Sequence, residues 1–416
     1  MNGVNRLLTG NMKNYHKICF WKGKVIYMNS FVYDIPTRVY FGPDQLDNLG
    51  KEVSALGKKA LLCYGGGSIK KSGLYDRVMA QLKAAGMEVF ELSGIDPNPR
   101  VSSVNAGADI CKKEKIDVLL AVGGGSVLDC TKYIGAAAYY DGDGWDILLD
   151  KVPVEQCLPI VTVLTLAATG SEMDSGGVIS NPETKDKIGR MFPPMQPKVS
   201  FLDPTETYSV SKYQTACGSS DILSHLLEIY FVPEGGSMYM LDCFMEGMIK
   251  TVMKYAPIAM EQPDHYEARA NLMWTSSWAI NGFAGALQNC EWTCHPIEHE
   301  LSAIYDITHG LGLAIVTPRW MRYVLDVTTA HRFYQYGVNV FGIDPSLPEM
   351  EVAEKSIEMT ADFLFGKLGL ASTLTEIGID DSNFDIMAEK ACGGGILQGY
   401  KPLNREDIRK ILTMCL

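Results

Sequence analysis

Asp221 and His225 stand four residues apart in helix-compatible sequence, which sets a carboxylate and an imidazole on one helix face. Downstream come Cys294-His295-Pro296-Ile297-Glu298-His299 and then Ile307-Thr308-His309-Gly310. Of the 7 histidines in the chain, His225, His295, His299 and His309 thus keep company with acids in a mostly apolar background. Carboxylate plus imidazole is a donor set for a divalent ion such as Fe2+ or Zn2+. Two assignments compete. His295, Glu298 and His299 match H-x-x-E-H, the inverted zinc-peptidase pattern in which the glutamate activates water. That assignment leaves Asp221 and His225 idle, and Pro296 makes an uninterrupted helix through the motif less natural. The other takes Asp221, His225, His295 and His309 as four ligands, with coordination left open for a substrate oxygen. It leaves His299 free, one helical turn from His295 and on the same side. Cys290 and Cys294 are a weaker zinc alternative, two thiols without a second pair.

Two glycine turns offer a second chemistry. Gly123-Gly124-Gly125-Ser126 follows the strand-like run Val118–Val122 and opens a helix, so backbone can approach a pyrophosphate held by helix-start N–H groups. Asp129 lies three residues after Ser126, a spacing that also suits helix capping. The pattern is not G-x-G-x-x-G, so a standard Rossmann fingerprint is absent. The earlier turn, Tyr64-Gly65-Gly66-Gly67-Ser68-Ile69-Lys70-Lys71, has no carboxylate to bind a ribose 2′-hydroxyl. Its two lysines leave room and positive charge for a 2′-phosphate, which points to NADP(H).

These residues need a frame. From Met28 to about Pro204, strand-like runs (Lys59–Tyr64, Met87–Leu92, Val118–Val122) alternate with helix-like segments (75–86, 102–114, 127–138), the signature of parallel strands with crossover helices. Beyond Glu206, long helix-compatible segments take over, at 211–230, 237–260, 265–281, 350–368 and 384–391. The expected architecture is a Rossmann-like α/β nucleotide-binding domain at 28–205 followed by an all-helical metal domain at 206–416. Residues 1–27 carry five basic residues and no acidic one, lack clear periodicity, and are set apart as an extension outside the fold.

The charge balance is 37 basic against 49 acidic residues, net −12, which argues against nucleic-acid or anionic-membrane binding. No apolar run reaches the ~20 residues of a membrane span. The 11 cysteines are odd in number, scattered and without a C-x-x-C pair, as in a reducing cytoplasm.

With these motifs in order, the chain from about Met28 resembles the iron-containing alcohol dehydrogenase family, in particular its NADPH-dependent butanol dehydrogenase and aldehyde reductase branch. The resemblance rests on the two glycine turns, Asp96-Pro97-Asn98-Pro99, Thr165-Leu166-Ala167-Ala168-Thr169-Gly170-Ser171-Glu172, Phe201-Leu202-Asp203-Pro204, Asp221-x-x-x-His225, and the run from Cys294-His295 to His309-Gly310. It implies Asp221, His225, His295 and His309 as metal ligands. Gly65, Gly66, Ser68, Gly124, Gly125, Ser126 and Asp129 match cofactor contacts, with Asn98 beside them. Thr165, Thr169 and Ser171 fall on the nicotinamide side, Lys187 matches a lysine that reaches the ribose, and His299 matches a histidine proposed to relay protons. Ala167 departs from the proline many relatives carry there. The implied reaction is hydride transfer between NADP(H) and a small alcohol or aldehyde, butanol-like, in a cytoplasmic homodimer. A metal- and nucleotide-dependent lyase of the dehydroquinate synthase type is the alternative, but residues 202–230 hold only Lys212 for an anionic substrate.

Overall fold

A computed structural model describes residues 19–21, 24–26, 30–233, 238–286 and 291–416. Most of the 1–27 extension lies outside the described residues; within it, β1 (Cys19–Trp21) and β2 (Lys24–Ile26) pair antiparallel. The next strands are β3 (Arg38–Phe41), β4 (Lys59–Tyr64), β5 (Glu88–Leu92), β6 (Val118–Gly123) and β7 (Ile160–Leu164). They are followed by β8 (Gly176–Asn181), β9 (Asp186–Met191) and β10 (Val199–Leu202).

Six strands form one parallel sheet in the order β3-β10-β7-β6-β4-β5. Because side chains alternate across a strand, Leu61 of β4 and Leu119 and Ala121 of β6 face one helical layer while Leu62, Leu120 and Val122 face the other. A sheet covered on both faces needs strands that are apolar throughout, and β6 and β7 have no exposed position. From β4 the chain moves outward to β5, then crosses back to β6, so the winding direction reverses between β4 and β6. Ligands of open α/β sheets bind beyond the carboxyl ends at such a switch point, and both glycine turns leave from there.

The antiparallel hairpin β8–β9 was not expected. Its second strand, Asp-Lys-Ile-Gly-Arg-Met, has too few apolar residues to alternate. It is held by tertiary contacts: Lys132, fully buried on the helix Gly125–Ala137, donates to Asp174 and to the Gly176 carbonyl, both at 2.7 Å. Gly177 lies so close to Asp129 that a Cβ would stand 3.3 Å from its backbone.

From residue 206 onward the described residues are helical apart from one isolated bridge, Leu397 to Leu403. The helix Lys212–Tyr230 runs through the middle, capped by Ser211 Oγ accepting from the Gln214 N–H, and is buried without a break from Thr215 to Tyr230. The helices Tyr239–Glu261, Tyr266–Ile280 and His309–Val324 pack around it. The expected helix at 350–368 is divided into Glu349–Ala361 and a π-helical turn, Asp362–Lys367. Pro296 does not interrupt its helix, which runs from Cys294 to Tyr305. It sits in the first turn, where a missing N–H breaks no bond.

Candidate metal and nucleotide site

The central helix brings Asp221 and His225 to one face, the helix Cys294–Tyr305 brings His295, and His309 opens the helix His309–Val324. Asp221 Oδ1 is 3.4 Å from His225 Nε2, 3.6 Å from His309 Nε2 and 3.8 Å from His295 Nε2. Tetrahedral donors about 2.1 Å from an ion lie about 3.4 Å apart; donor atoms of Asp221, His225 and His295 lie within 4.8 Å of one another and fit a divalent cation, while His309 reaches Asp221 and also groups within 4.8 Å with Glu298 and His299. Asp221 Oδ1 and His295 Nε2 are buried and have no hydrogen-bond partner, as vacant ligand atoms would be. Burial alone would raise the Asp221 carboxyl, but His225, His295 and His309 around it hold it well below the usual carboxylate range. Burial lowers His225, and it lowers His309 well below its ordinary value with help from Lys187, leaving both imidazoles neutral as ligation requires. Burial also pulls His295 down, but Glu228 and Asp221 outweigh it and raise the ring to about 9.

A ring of side chains fixes these ligands. Glu228 accepts from the backbone N–H groups of Thr293, Cys294 and His295 and from His295 Nδ1. Trp292 lies 4.7 Å from the His295 ring and 5.5 Å from the His225 ring, an aromatic wall against water. Gly310, next to His309, lets two helices touch: a Cβ there would be 2.0 Å from the Cys217 carbonyl oxygen.

The zinc-peptidase assignment fails on Glu298. Fully buried, its carboxylate is occupied by Ser302 Oγ, His309 Nδ1 and Lys187 Nζ, so it has no room to activate water. Of the two-thiol alternative, Cys294 is buried, with burial pushing its thiol well above its ordinary value, and Cys290 lies outside the described residues.

Between the two halves lies a cleft of about 850 Å³ lined by Gly65, Gly66, Ser68, Asn98, Gly124, Gly125, Ser126, Thr165 and Thr169 and also by Asp221 and His309. Gly67 is left-handed, φ +100°, and a Cβ on Gly66 or Gly67 would meet nothing within 4 Å: bare backbone faces open space. Gly125 is required for a different reason, since a Cβ would stand 2.4 Å from Thr169 Oγ1. Open glycine backbone beside the start of the helix Gly125–Ala137 fits a bound pyrophosphate.

Six residues expected at the site do not line the cleft. Asp129 is turned into the protein, where Ser171 Oγ donates to it at 2.6 Å and the Val178 N–H at 2.9 Å; burial raises its carboxyl to about 6. Ser171 is thus spent on Asp129. Lys187 points at Glu298 and His309, not at a ribose. Lys70 Nζ sits over the rings of Tyr64 and Tyr75, at 5.0 and 4.6 Å, and neither Lys70 nor Lys71 lines the cleft. His299 does not line the cleft either; its ring centre is 5.6 Å from that of His309, and its buried Nε2 is unpartnered. Asp306 went unrecognised in the sequence: it receives Asn98 Nδ2 at 3.0 Å and Arg100 Nη2 at 2.9 Å, linking the two halves across the cleft mouth. Left-handed Asn98 and Asp306 (φ +51° and +52°) make that link, a conformation no spacing announces.

A glycine-lined cleft beside a buried cluster of one carboxylate and three imidazoles suits a dinucleotide next to a divalent ion. Residues 36–204 match the iron-containing alcohol dehydrogenase family, and residues 215–416 match the C-terminal domain of the Fe-containing alcohol dehydrogenase family. The chain belongs to the iron-containing alcohol dehydrogenase family. It is similar to NADH-dependent butanol dehydrogenase A of Clostridium acetobutylicum, 49% identical over 92% of this chain and 99% of that protein. It is similar also to the NADPH-dependent aldehyde reductase YqhD of Escherichia coli, 36% identical over 89% of this chain and 95% of the reductase. The crystal structure of NADH-dependent butanol dehydrogenase A from Thermotoga maritima superposes with a TM-score of 0.88 at 41% identity, over 93% of this chain and 99% of that one.

Proposed function

We propose that this protein reduces small uncharged aldehydes such as butanal to primary alcohols, and runs the reverse reaction, with a nicotinamide dinucleotide. The observation that carries the proposal is a glycine-lined cleft beside the cluster of Asp221, His225, His295 and His309. A divalent ion, Fe2+ or Zn2+, held by those four residues would polarise the substrate oxygen, and the nicotinamide would supply the hydride. Trp292 and the packed helices shield the cluster, and His299, whose buried Nε2 is unpartnered, is the group we assign to relaying the proton between substrate oxygen and solvent, releasing one proton as it accepts another. Among the cleft residues Arg100 is the sole lysine or arginine, and Asp306 neutralises it, which supports an uncharged substrate over the anionic substrate of a lyase.

For the cofactor, Lys70 is engaged by Tyr64 and Tyr75 and neither Lys70 nor Lys71 lines the cleft, while Asp96 does. We therefore propose NADH as the preferred donor, in line with the butanol dehydrogenases named above and unlike YqhD. The division at 28–205 and 206–416 is part of the same proposal and is supported by family matches that meet between residues 204 and 215. The reading includes a cytoplasmic homodimer; Cys63, Cys111, Cys130, Cys157, Cys217, Cys243, Cys294, Cys392 and Cys415 are free thiols, and no described helix is long and apolar enough to cross a membrane.

The test is oxidation of NADH and of NADPH with butanal by chelator-stripped protein reloaded anaerobically with Fe2+ or Zn2+. Metal-dependent turnover with a lower KM for NADH is expected. Reloaded protein that oxidises neither cofactor would overturn the reductase reading, and a lower KM for NADPH would overturn the cofactor preference.

A further inference from the structure

Glu298 belongs to a motif, His295-x-x-Glu298-His299, that the four-ligand site leaves unexplained. It has no exposed surface, yet it is a carboxylate in the core of the metal domain. A buried carboxylate needs partners, and Glu298 has three: Ser302 Oγ from the next turn of its own helix, His309 Nδ1, and Lys187 Nζ at 3.3 Å. Lys187 comes from β9 of the nucleotide domain and is itself 7% exposed. Its Nζ is also 3.2 Å from His309 Nδ1. Two opposite partners therefore converge on one ring nitrogen.

The competition has a chemical consequence. A neutral imidazole carries one proton, and the nitrogen without it is the one that can bind a metal. Were Lys187 to donate to Nδ1, the proton would sit on Nε2, which faces Asp221 Oδ1 at 3.6 Å, and that nitrogen could not ligate. When Nδ1 donates to Glu298 instead, the Nε2 lone pair faces the cluster. We propose that Glu298 is a positioning residue that holds His309 in its Nδ1-protonated tautomer, with Lys187 directed to the Glu298 carboxylate rather than to the ring. Glu228 is placed to do the same for His295 through Nδ1, whereas His225 Nδ1 is buried without a partner, so His225 lacks this support. Carboxylates behind ligand imidazoles typically change metal affinity 10- to 100-fold. One strand of the nucleotide domain thereby helps set the donor atom of a ligand in the metal domain.

The proposal rests on the four-ligand reading, and its test separates the two. Metal-free protein with 15N-labelled histidine reports the His309 tautomer directly through long-range proton–nitrogen couplings. The Nδ1-protonated form is expected in the wild type and the Nε2-protonated form in Glu298→Gln. Co2+ titration of the same proteins should show Glu298→Gln binding 10- to 100-fold more weakly, with altered visible absorption, as His309→Ala does. An Nε2-protonated His309 in the wild type, or Co2+ affinity and absorption unchanged by Glu298→Gln, overturns the proposal. If His309→Ala itself binds Co2+ like the wild type, the four-ligand reading falls and the proposal with it. Should Glu298→Gln fail to fold, the wild-type tautomer alone decides.

Discussion

Glu172 should make this protein less stable as pH rises through neutrality. It sits in the short turn Ser171–Met173 with no exposed surface, and its Oε1 accepts from Ser277 Oγ of the helix Tyr266–Ile280. Its Oε2 has no partner. Burial raises the carboxyl to about 7, despite the opposing pull of Ser277. An unfolded glutamate titrates near 4.3. Between those values the native state holds a proton that the unfolded state has released, so stability falls as pH increases and levels off once Glu172 is ionised in both states. At 1.36 kcal/mol per unit, the full effect is about 4 kcal/mol, most of it accumulating between pH 5 and pH 8. Glu172→Gln abolishes the titration. It also buries an amide without an evident partner, a penalty of about 1–3 kcal/mol that does not vary with pH. Only the change in the difference between the two proteins is therefore diagnostic. Urea unfolding of metal-free wild type and variant at pH 5, 6.5 and 8 should show the variant gaining about 2–3 kcal/mol relative to wild type across that range. Other buried carboxyls raised by their surroundings, Asp129 to about 6 and Glu300 to about 7, are present in both proteins and cancel. A difference that stays constant across the range would refute the argument, because it would mean that Glu172 ionises as readily in the fold as outside it.

Two further substitutions probe the site itself. His299→Ala removes the unpartnered Nε2 but no ligand, so turnover should drop at least ~100-fold with metal content unchanged by elemental analysis; loss of metal would place His299 among the ligands. Gly310→Ala sets a Cβ 2.0 Å from the Cys217 carbonyl oxygen, a backbone contact with little freedom to yield. It should destabilise by about 1–3 kcal/mol or more and weaken metal binding through the displaced His309. Gly247→Ala, on an exposed helical face with nothing within 4 Å, is the control and should melt at or slightly above the wild-type temperature.

Features set by one segment of chain were legible in the sequence. Asp221 and His225 share a face because a helix turns every 3.6 residues, and the strands β4 and β6 announce themselves as apolar runs ending in glycines. Expectation and structure part where a side chain had a choice of directions. Asp129 lies one turn into its helix, close enough to the glycine turn to suggest the cofactor, yet its carboxylate meets β8, a strand the sequence pattern hides. Lys70 follows the first glycine turn directly, but the faces of Tyr64 and Tyr75 hold its ammonium away from the cleft. Glu228 carried a readable signal that went unused: an acid set between Leu226-Leu227 and Ile229-Tyr230, on the buried end of its helix, requires buried donors.

The metal cluster shows why this limit is physical. Ligand identity is a matter of residue type and spacing, which the chain displays in order. Ligand competence is a matter of which ring nitrogen carries the proton, and here the second nitrogen of His309 meets Glu298, 11 residues upstream, and Lys187, 122 residues upstream. A lysine that distant can arrive only if the hairpin β8–β9 forms and docks, and its docking depends on Lys132 and Asp129, both buried beneath it. The nucleotide domain is thus part of the metal site's second layer, and a change that loosens the hairpin should be felt at His309 before it is felt at Asp221.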